Sequence, residues 1–284
     1  MIRQKSFENS NATLFLVATP IGNLSEFTPR AIETLKSVSL IACEDTRTSR
    51  TLLDNYDIKT RCVTYHNFNE EDSANGLLNV LRNGEDIALI SDAGYPLVSD
   101  PGFAIVHKAS EEGFNVVAIS GPSAGLHALI ASGLETRHYM FYGFLNEKKS
   151  KAKKELEALV KFPYTMIFYE SPHRIKDTLA SAYEVFGKRK VCLARELTKK
   201  HEEYIRGTLD ELVELDDLKG EMVLMIEGYD ESSEVVDFKD IKAEIDELIA
   251  AGMSSKDAIK KLAKAKNMSK NDIYREYHAQ NEEN

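Results

Sequence analysis

Five short segments hold small, polar and turn-forming residues directly behind apolar runs: TPIGNL (19–24), DAGYPLVSDPG (92–102), GPSAG (121–125), SPHR (171–174) and LTKKHEE (197–203). Gly22, Gly94, Gly102 and Gly121 let backbone approach a ligand, and N–H groups in such loops cradle polar atoms. Titratable residues keep company with them: Glu44, Asp45 and Arg47 in CEDTRTSR, His66 in TYHNFNE, Glu170, His173 and Arg174 in ESPHR, and Glu196, Lys199, His201 and Glu202 in RELTKKHEE. Carboxylates, imidazoles and amines at loop mouths serve proton transfer or phosphate binding. The pattern predicts a ligand cleft. It does not match the common nucleotide motifs, because neither GxGxxG nor GxxxxGK[ST] occurs. GPSAG fits the GxSxG expression of a serine hydrolase, but no Asp/His partner pattern accompanies it.

The elements that must position these loops alternate in type. Apolar strand-like runs lie at 14–19, 38–44, 86–91, 115–120, 165–170, 190–196 and 222–228, with amphipathic stretches such as PRAIETLKSV and RIKDTLASAYEVFG between them. Alternation of this kind predicts an α/β architecture with largely parallel sheets. The unbroken apolarity of DIALIS and NVVAIS fits strands covered on both faces. Open sheets of this class bind ligands at strand ends, where the five loops fall. The Lys-rich, Gly-poor stretch 146–162 is read as the join between two lobes, 12–145 and 146–230. Beyond the acidic segment 229–238, residues 237–284 hold three helical patterns. The first puts Ile241, Ile245, Leu248 and Ile249 on one face; the others open with Ser254 and Ser269, each three residues ahead of an Asp (Asp257, Asp272). The short turn from Lys266 to Ser269 gives the last two a helix-turn-helix outline.

Composition narrows the partners. The chain of 284 residues carries a net charge of −10, which disfavours nucleic acid unless positive charge is local. Local clusters exist: residues 147–154 hold five Lys against one Glu, and 256–275 hold six Lys and one Arg against two Asp. Three widely spaced cysteines, Cys43, Cys62 and Cys192, fit reduced thiols in a cytoplasmic protein. No apolar run is long enough to span a membrane, and no signal-peptide pattern opens the chain.

Taken together, TPIGNL, EDTRTSRTLL, SDAGYPLVSDPG, GPSA, FYESPHR, RELTKKHEE and GEMVLMIEG resemble the ribosomal RNA small subunit methyltransferase I family, within the tetrapyrrole-methylase superfamily. The resemblance runs from about residue 12 to 228, and the tail looks like that family's C-terminal helix-turn-helix domain. It implies two α/β lobes with S-adenosylmethionine folded into the cleft between them, and a homodimer. It also implies methyl transfer to a cytidine ribose 2′-hydroxyl in the decoding region of 16S rRNA, in the small ribosomal subunit. Three positions depart from the family pattern: Glu26 stands for Asp, Phe68 for the second His of a His-x-His-Asn-Glu stretch, and Tyr95 for Thr.

Such a transfer is an in-line displacement at the methyl carbon, limited by bringing the nucleophile to about 3–3.5 Å. It needs no metal. On this reading Asp92, Ala93, Gly94, Tyr95, Val98, Gly121, Ser123, Ala124, Phe168, Tyr169 and Arg195 hold the donor. Asn23, Asp45, Arg47, Arg174, Lys148 and Lys149 face the RNA. A base that takes the hydroxyl proton adds about 10²–10⁴-fold, and Glu170, His173 or a desolvated Lys199 could serve. Two other readings remain open: a small-molecule tetrapyrrole methylase, and a non-enzymatic DNA-binding regulator acting through the tail.

Overall fold

The computed structural model describes residues 3–65, 70–230, 238–265, 269–271, 273–275 and 277. His66, Phe68, Lys266 and Asp272, named above, lie outside the described residues, and with Lys266 most of the turn between the last two helical patterns. The chain divides into two compact units, 1–229 and 230–284.

The first unit contains two five-stranded sheets. In the first sheet, β1 (Thr13–Val17), β2 (Leu40–Cys43), β3 (Cys62–Thr64), β4 (Ile87–Ile90) and β5 (Asn115–Ile119) run parallel in the order β3-β2-β4-β1-β5. Alternate residues feed opposite faces, as the pleat requires. Leu14, Leu40, Ala42, Ile87 and Leu89 pack under α3 (Glu70–Arg82) and α4 (Phe103–Glu111). Val17, Ile41, Cys43, Ala88 and Ile90 pack under α1 (Pro29–Ser37) and α2 (Thr46–Asn55). The order sets β4, β1 and β5 side by side, so the loops after all three leave one edge of the sheet together.

The second sheet differs from the expectation of largely parallel strands. β6 (Tyr139–Phe144) is parallel to β7 (Thr165–Glu170), but β7, β10 (Met222–Ile226), β8 (Lys190–Arg195) and β9 (Glu203–Thr208) pair antiparallel, in the order β6-β7-β10-β8-β9. Apolar runs look alike whichever way a neighbour runs, so the direction was not readable from composition. One face of this sheet, with Met166, Phe168, Leu193 and Leu224, lies under α6 (Lys149–Ala158), α7 (Ile175–Phe186) and α8 (Leu209–Leu212). The other face, with Ile167, Cys192, Ala194, Val223 and Met225, lies under α5 (Ala124–Ser132) through Ala128 and Leu129. The chain therefore crosses to the second sheet right after β5. The Lys-rich stretch, read above as the join between lobes, forms α6, which buries Ala152 and Leu156 and ties itself to α7 through Lys149–Asp177 and Lys153–Glu184 pairs.

In the second unit, α9 (Phe238–Ala250) and α10 (Ser255–Ala265) share a core of Ile241, Ile245, Ala258, Ile259, Leu262 and Ala263 with Ile273 of a further helical stretch. Leu248 and Ile249 pack against that core. The Ser254 hydroxyl accepts the Asp257 N–H at 3.2 Å, capping α10, and Ser269 accepts the Asn271 N–H at 3.2 Å. No helix among the described residues is long and apolar enough to cross a membrane.

Candidate active site

Strand order brings the loops together into one cavity of about 380 Å³. Ile21 enters from the loop after β1, Asp92 to Asp100 from the loop after β4, and Ser123 and Ala124 from the start of α5. The second sheet closes the opposite wall. Because β10 is antiparallel to both β7 and β8, its start at Met222 lies beside Glu170 and Arg195 at their ends. Glu221, Met222 and Val223 therefore join Tyr169 to Pro172, Leu197 and Phe144 around the same space.

Hydrogen bonds fix the loops to one another. Gly94 and Thr19 exchange both backbone bonds, Thr19 N–H to Gly94 O at 2.9 Å and Gly94 N–H to Thr19 O at 3.0 Å. The Tyr95 hydroxyl accepts the Gly121 N–H at 3.0 Å, and the Tyr169 hydroxyl accepts the Gly125 N–H at 3.2 Å. Tyr95, a departure from the family pattern, thus ties two loops together. Burial pushes the Tyr169 hydroxyl up, with the nearby Asp100 charge adding to it against the Gly125 bond.

Of the proposed donor ligands, Asp92, Ala93, Gly94, Tyr95, Val98, Ser123, Ala124 and Tyr169 line the cavity. Gly121 stands behind it on Tyr95. Phe168 and Arg195 do not belong to the wall. Strand alternation turns Phe168 away from Tyr169 into the core under α6 and α7. Arg195 is held by Glu203 and donates to the Lys219 carbonyl at 3.0 Å.

The three proposed bases fare differently. Glu170 has its side chain 1% exposed. Its Oε1 accepts the Ser171 N–H at 2.8 Å with Arg174 Nε 3.5 Å away, and its Oε2 accepts the Thr178 hydroxyl at 2.6 Å. That carboxylate pins the start of α7. Lys199 lies between Glu196 (3.1 Å) and Glu221 (2.9 Å). Burial pulls its ammonium down, but the hydrogen bonds to Glu221 and Glu196 and their charges outweigh this, so the net shift is upward. A base needs the opposite. His173 is exposed beside the lining residues Ser171 and Pro172, and no hydrogen bond or ion pair engages its side chain among the described residues.

The proposed RNA contacts are scattered. Asn23 caps the short turn Leu24–Glu26 by accepting the Ser25 N–H at 3.1 Å, and Asp45 caps α2 and pairs with Arg47 at 2.9 Å. The Arg47 hydrogen bond, with its backbone bond and charge, lowers Asp45 to about 2. Arg174 is engaged inward, donating to the Leu145 and Asn146 carbonyls at 2.9 and 3.1 Å. Lys148 is exposed at the start of α6, and Lys149 is paired with Asp177.

Comparison with known proteins assigns this arrangement. A family model, Tetrapyrrole (Corrin/Porphyrin) Methylases, matches residues 13–213. The chain is 46% identical to the ribosomal RNA small subunit methyltransferase I of Bacillus subtilis (strain 168), over 97% of this chain and 98% of that one. It is 45% identical to the protein of the same name from Halalkalibacterium halodurans, over 98% and 99%. The chain belongs to the ribosomal RNA small subunit methyltransferase I family of tetrapyrrole-type methylases. Solved structures share the fold: uroporphyrin-III-C-methyltransferase from Thermus thermophilus (TM-score 0.55, 17% identity, 76% of this chain and 94% of that one) and diphthine synthase (TM-score 0.60, 12%, 77% and 90%). S-adenosylmethionine is the methyl donor of this family.

The cavity suits that donor: it falls in the range of about 300–1,000 Å³ usual for small-molecule sites. Its wall offers bare backbone at Gly94 and apolar surface at Ile21, Val98, Leu197 and Met222. Sequence reasoning missed Ile21, Ser99, Asp100, Phe144, Ser171, Pro172, Leu197, Glu221, Met222 and Val223. Ser99 and Asp100 stood inside a motif already singled out. Glu221 needed knowledge that β10 runs against its neighbours.

Proposed function

We propose that this protein transfers the methyl group of S-adenosylmethionine to the 2′-hydroxyl of a cytidine in the decoding region of 16S rRNA, with the small ribosomal subunit as substrate. The observation that carries the reading is near-full-length similarity to proteins named for small-subunit rRNA methylation, spanning the helical unit as well as the lobes. When bound, the donor supplies an activated methyl with a neutral thioether as leaving group. The chain's part is positioning. The loop after β4, fixed by the Thr19–Gly94 pair, and the loop after β5, fixed by Tyr95, hold the donor, while Leu197, Met222 and Phe144 keep water from it. His173 at the rim takes the hydroxyl proton; Glu170 and Lys199 shape the wall instead. The protein acts in the cytoplasm as a homodimer, a state favoured by Leu126 and the 74% exposed Ile130 on the outer side of α5.

The test incubates the protein and tritiated donor with small ribosomal subunits, naked 16S rRNA or precorrin, and maps label by nuclease digestion and mass spectrometry. Label in 2′-O-methylcytidine from the subunits is the expected result. Label in precorrin, or in a base carbon, overturns the reading. Arg47, whose side chain is 88% exposed, and Lys148 are expected to contact phosphate. Arg47→Ala and Lys148→Ala should each reduce the slope of log affinity for RNA against log salt by about one, leaving donor affinity unchanged. Filter binding across a salt series and calorimetry with the donor read the two effects separately.

A further inference from the structure

One wall of the cavity gathers negative charge with no cationic side chain paired to it among the described residues. Asp92 and Asp100 line it from the loop after β4, and Glu44 follows β2, the strand beside β4. Among the described residues no lysine, arginine or histidine pairs with any of the three. Asp45, whose charge also bears on Asp92, spends its own on Arg47. The groups facing Asp100 are Glu44, Asp92 and the Ser91 hydroxyl from the first lobe and Tyr169 from the second. Among the described residues, Ser91 is the group that favours its charged form. Burial, then Glu44 and Asp92, push Asp100 up to about 6. A carboxyl raised on folding contributes stability below its unfolded value of about 3.9. That contribution is lost as pH rises through its folded value. At neutral pH the cavity therefore holds an ionised group that works against folding, as functional sites often do.

We propose that Asp100 is the counter-charge of the donor's sulfonium, and that it makes the cavity discriminate the cationic donor from the neutral thioether product. This rests on the reading of the cavity as the donor site. S-adenosylmethionine and S-adenosylhomocysteine share adenosine, amino and carboxylate groups and differ by one methyl and one positive charge. Their affinity ratio isolates the interaction of that charge with the wall. A site that releases the product more readily than the donor also turns over without being held by its own product.

Calorimetry at pH 7.5 on the full chain and on Asp100→Asn, with each ligand, tests this. The expected result is about a tenfold loss of S-adenosylmethionine affinity in the variant with S-adenosylhomocysteine changed less than about twofold. In the wild type, lowering the pH to 5 should shift the ratio the same way, without any substitution. Without ligand, Asp100→Asn should melt above the wild type at pH 7.5 and level with it below pH 4. Equal losses for both ligands, no change for either, or a lower melting temperature overturns the proposal while leaving the donor site in place. Failure of the wild type to bind either ligand overturns the donor-site reading, and this proposal with it.

Discussion

Gly94→Val is expected to weaken S-adenosylmethionine binding by about a hundredfold or more while leaving the fold intact. Gly94 has φ +79°, a conformation in which a β-branched residue is an outlier costing about 1–3 kcal/mol. The backbone cannot relax out of it, since both its N–H and its carbonyl are engaged by Thr19. A Cβ at Gly94 would sit 3.5 Å from Ile21 Cγ2 and 3.8 Å from the Pro122 carbonyl, and because Gly94 lines the cavity the γ-methyls of valine are expected to take up space there. Displaced backbone and lost volume add, and about 2.7 kcal/mol is already a hundredfold in affinity. Calorimetric titration measures this. Gly113→Val is the control: Gly113 has φ +80° and open space around its Cβ, far along the chain at the end of α4. It should lower the melting temperature without touching donor affinity. Donor binding unchanged in Gly94→Val would remove this loop from the donor site.

What was legible in the sequence was the alternation of apolar runs and loops, which carries strand and helix identity because it follows from local periodicity. The loop after β4 was legible for the same reason: glycine, proline and small polar residues together have few other uses. Side-chain direction at strand ends was not. Phe168 and Tyr169 are adjacent, and a register one residue different would have exchanged core and cavity between them. Arg195 and Lys199 illustrate a second limit. Each is cationic and near a predicted loop, but Glu203 and the Lys219 carbonyl claim the first, and Glu196 and Glu221 the second. Glu203, Lys219 and Glu221 arrive through antiparallel pairing of β8 with β9 and β10, which no local pattern encodes, whereas Glu196 is a neighbour of Lys199 three residues back in the chain. The basic stretch 147–154 divides similarly: Lys149 and Lys153 are consumed by α7, whereas Lys148, Lys151 and Lys154 remain exposed. Charge counts locate a footprint but not which cations are left to make it.

Glu170 could act structurally or chemically, and two substitutions separate the roles. Glu170→Ala removes the acceptor of the Ser171 N–H and of the Thr178 hydroxyl and leaves Arg174 without its carboxylate. Thr178 is buried, so its hydroxyl loses a partner with no water to replace it, a cost of about 1–3 kcal/mol. Arg174 is part-exposed and rehydrates, which keeps its share smaller than for a fully buried pair. With the space vacated by the side chain, the total loss is about 3 kcal/mol, or a fall of about 6–12 °C in melting temperature for a unit of this size. Glu170→Gln keeps one acceptor and the shape, so it should cost about 1 kcal/mol. Were Glu170 the base, the glutamine variant would lose about 10²–10⁴ in kcat at that same small stability cost. The buried anchoring of both carboxylate oxygens gives the reverse expectation: kcat within about threefold for Glu170→Gln, by comparison with that range, and a large stability loss confined to Glu170→Ala. His173→Ala, by contrast, should lose kcat with little change in melting temperature, because its exposed imidazole has no hydrogen bond or ion pair among the described residues. Thermal denaturation and single-turnover methylation of the three variants decide the matter, and a collapse of kcat in Glu170→Gln would return the proton to Glu170.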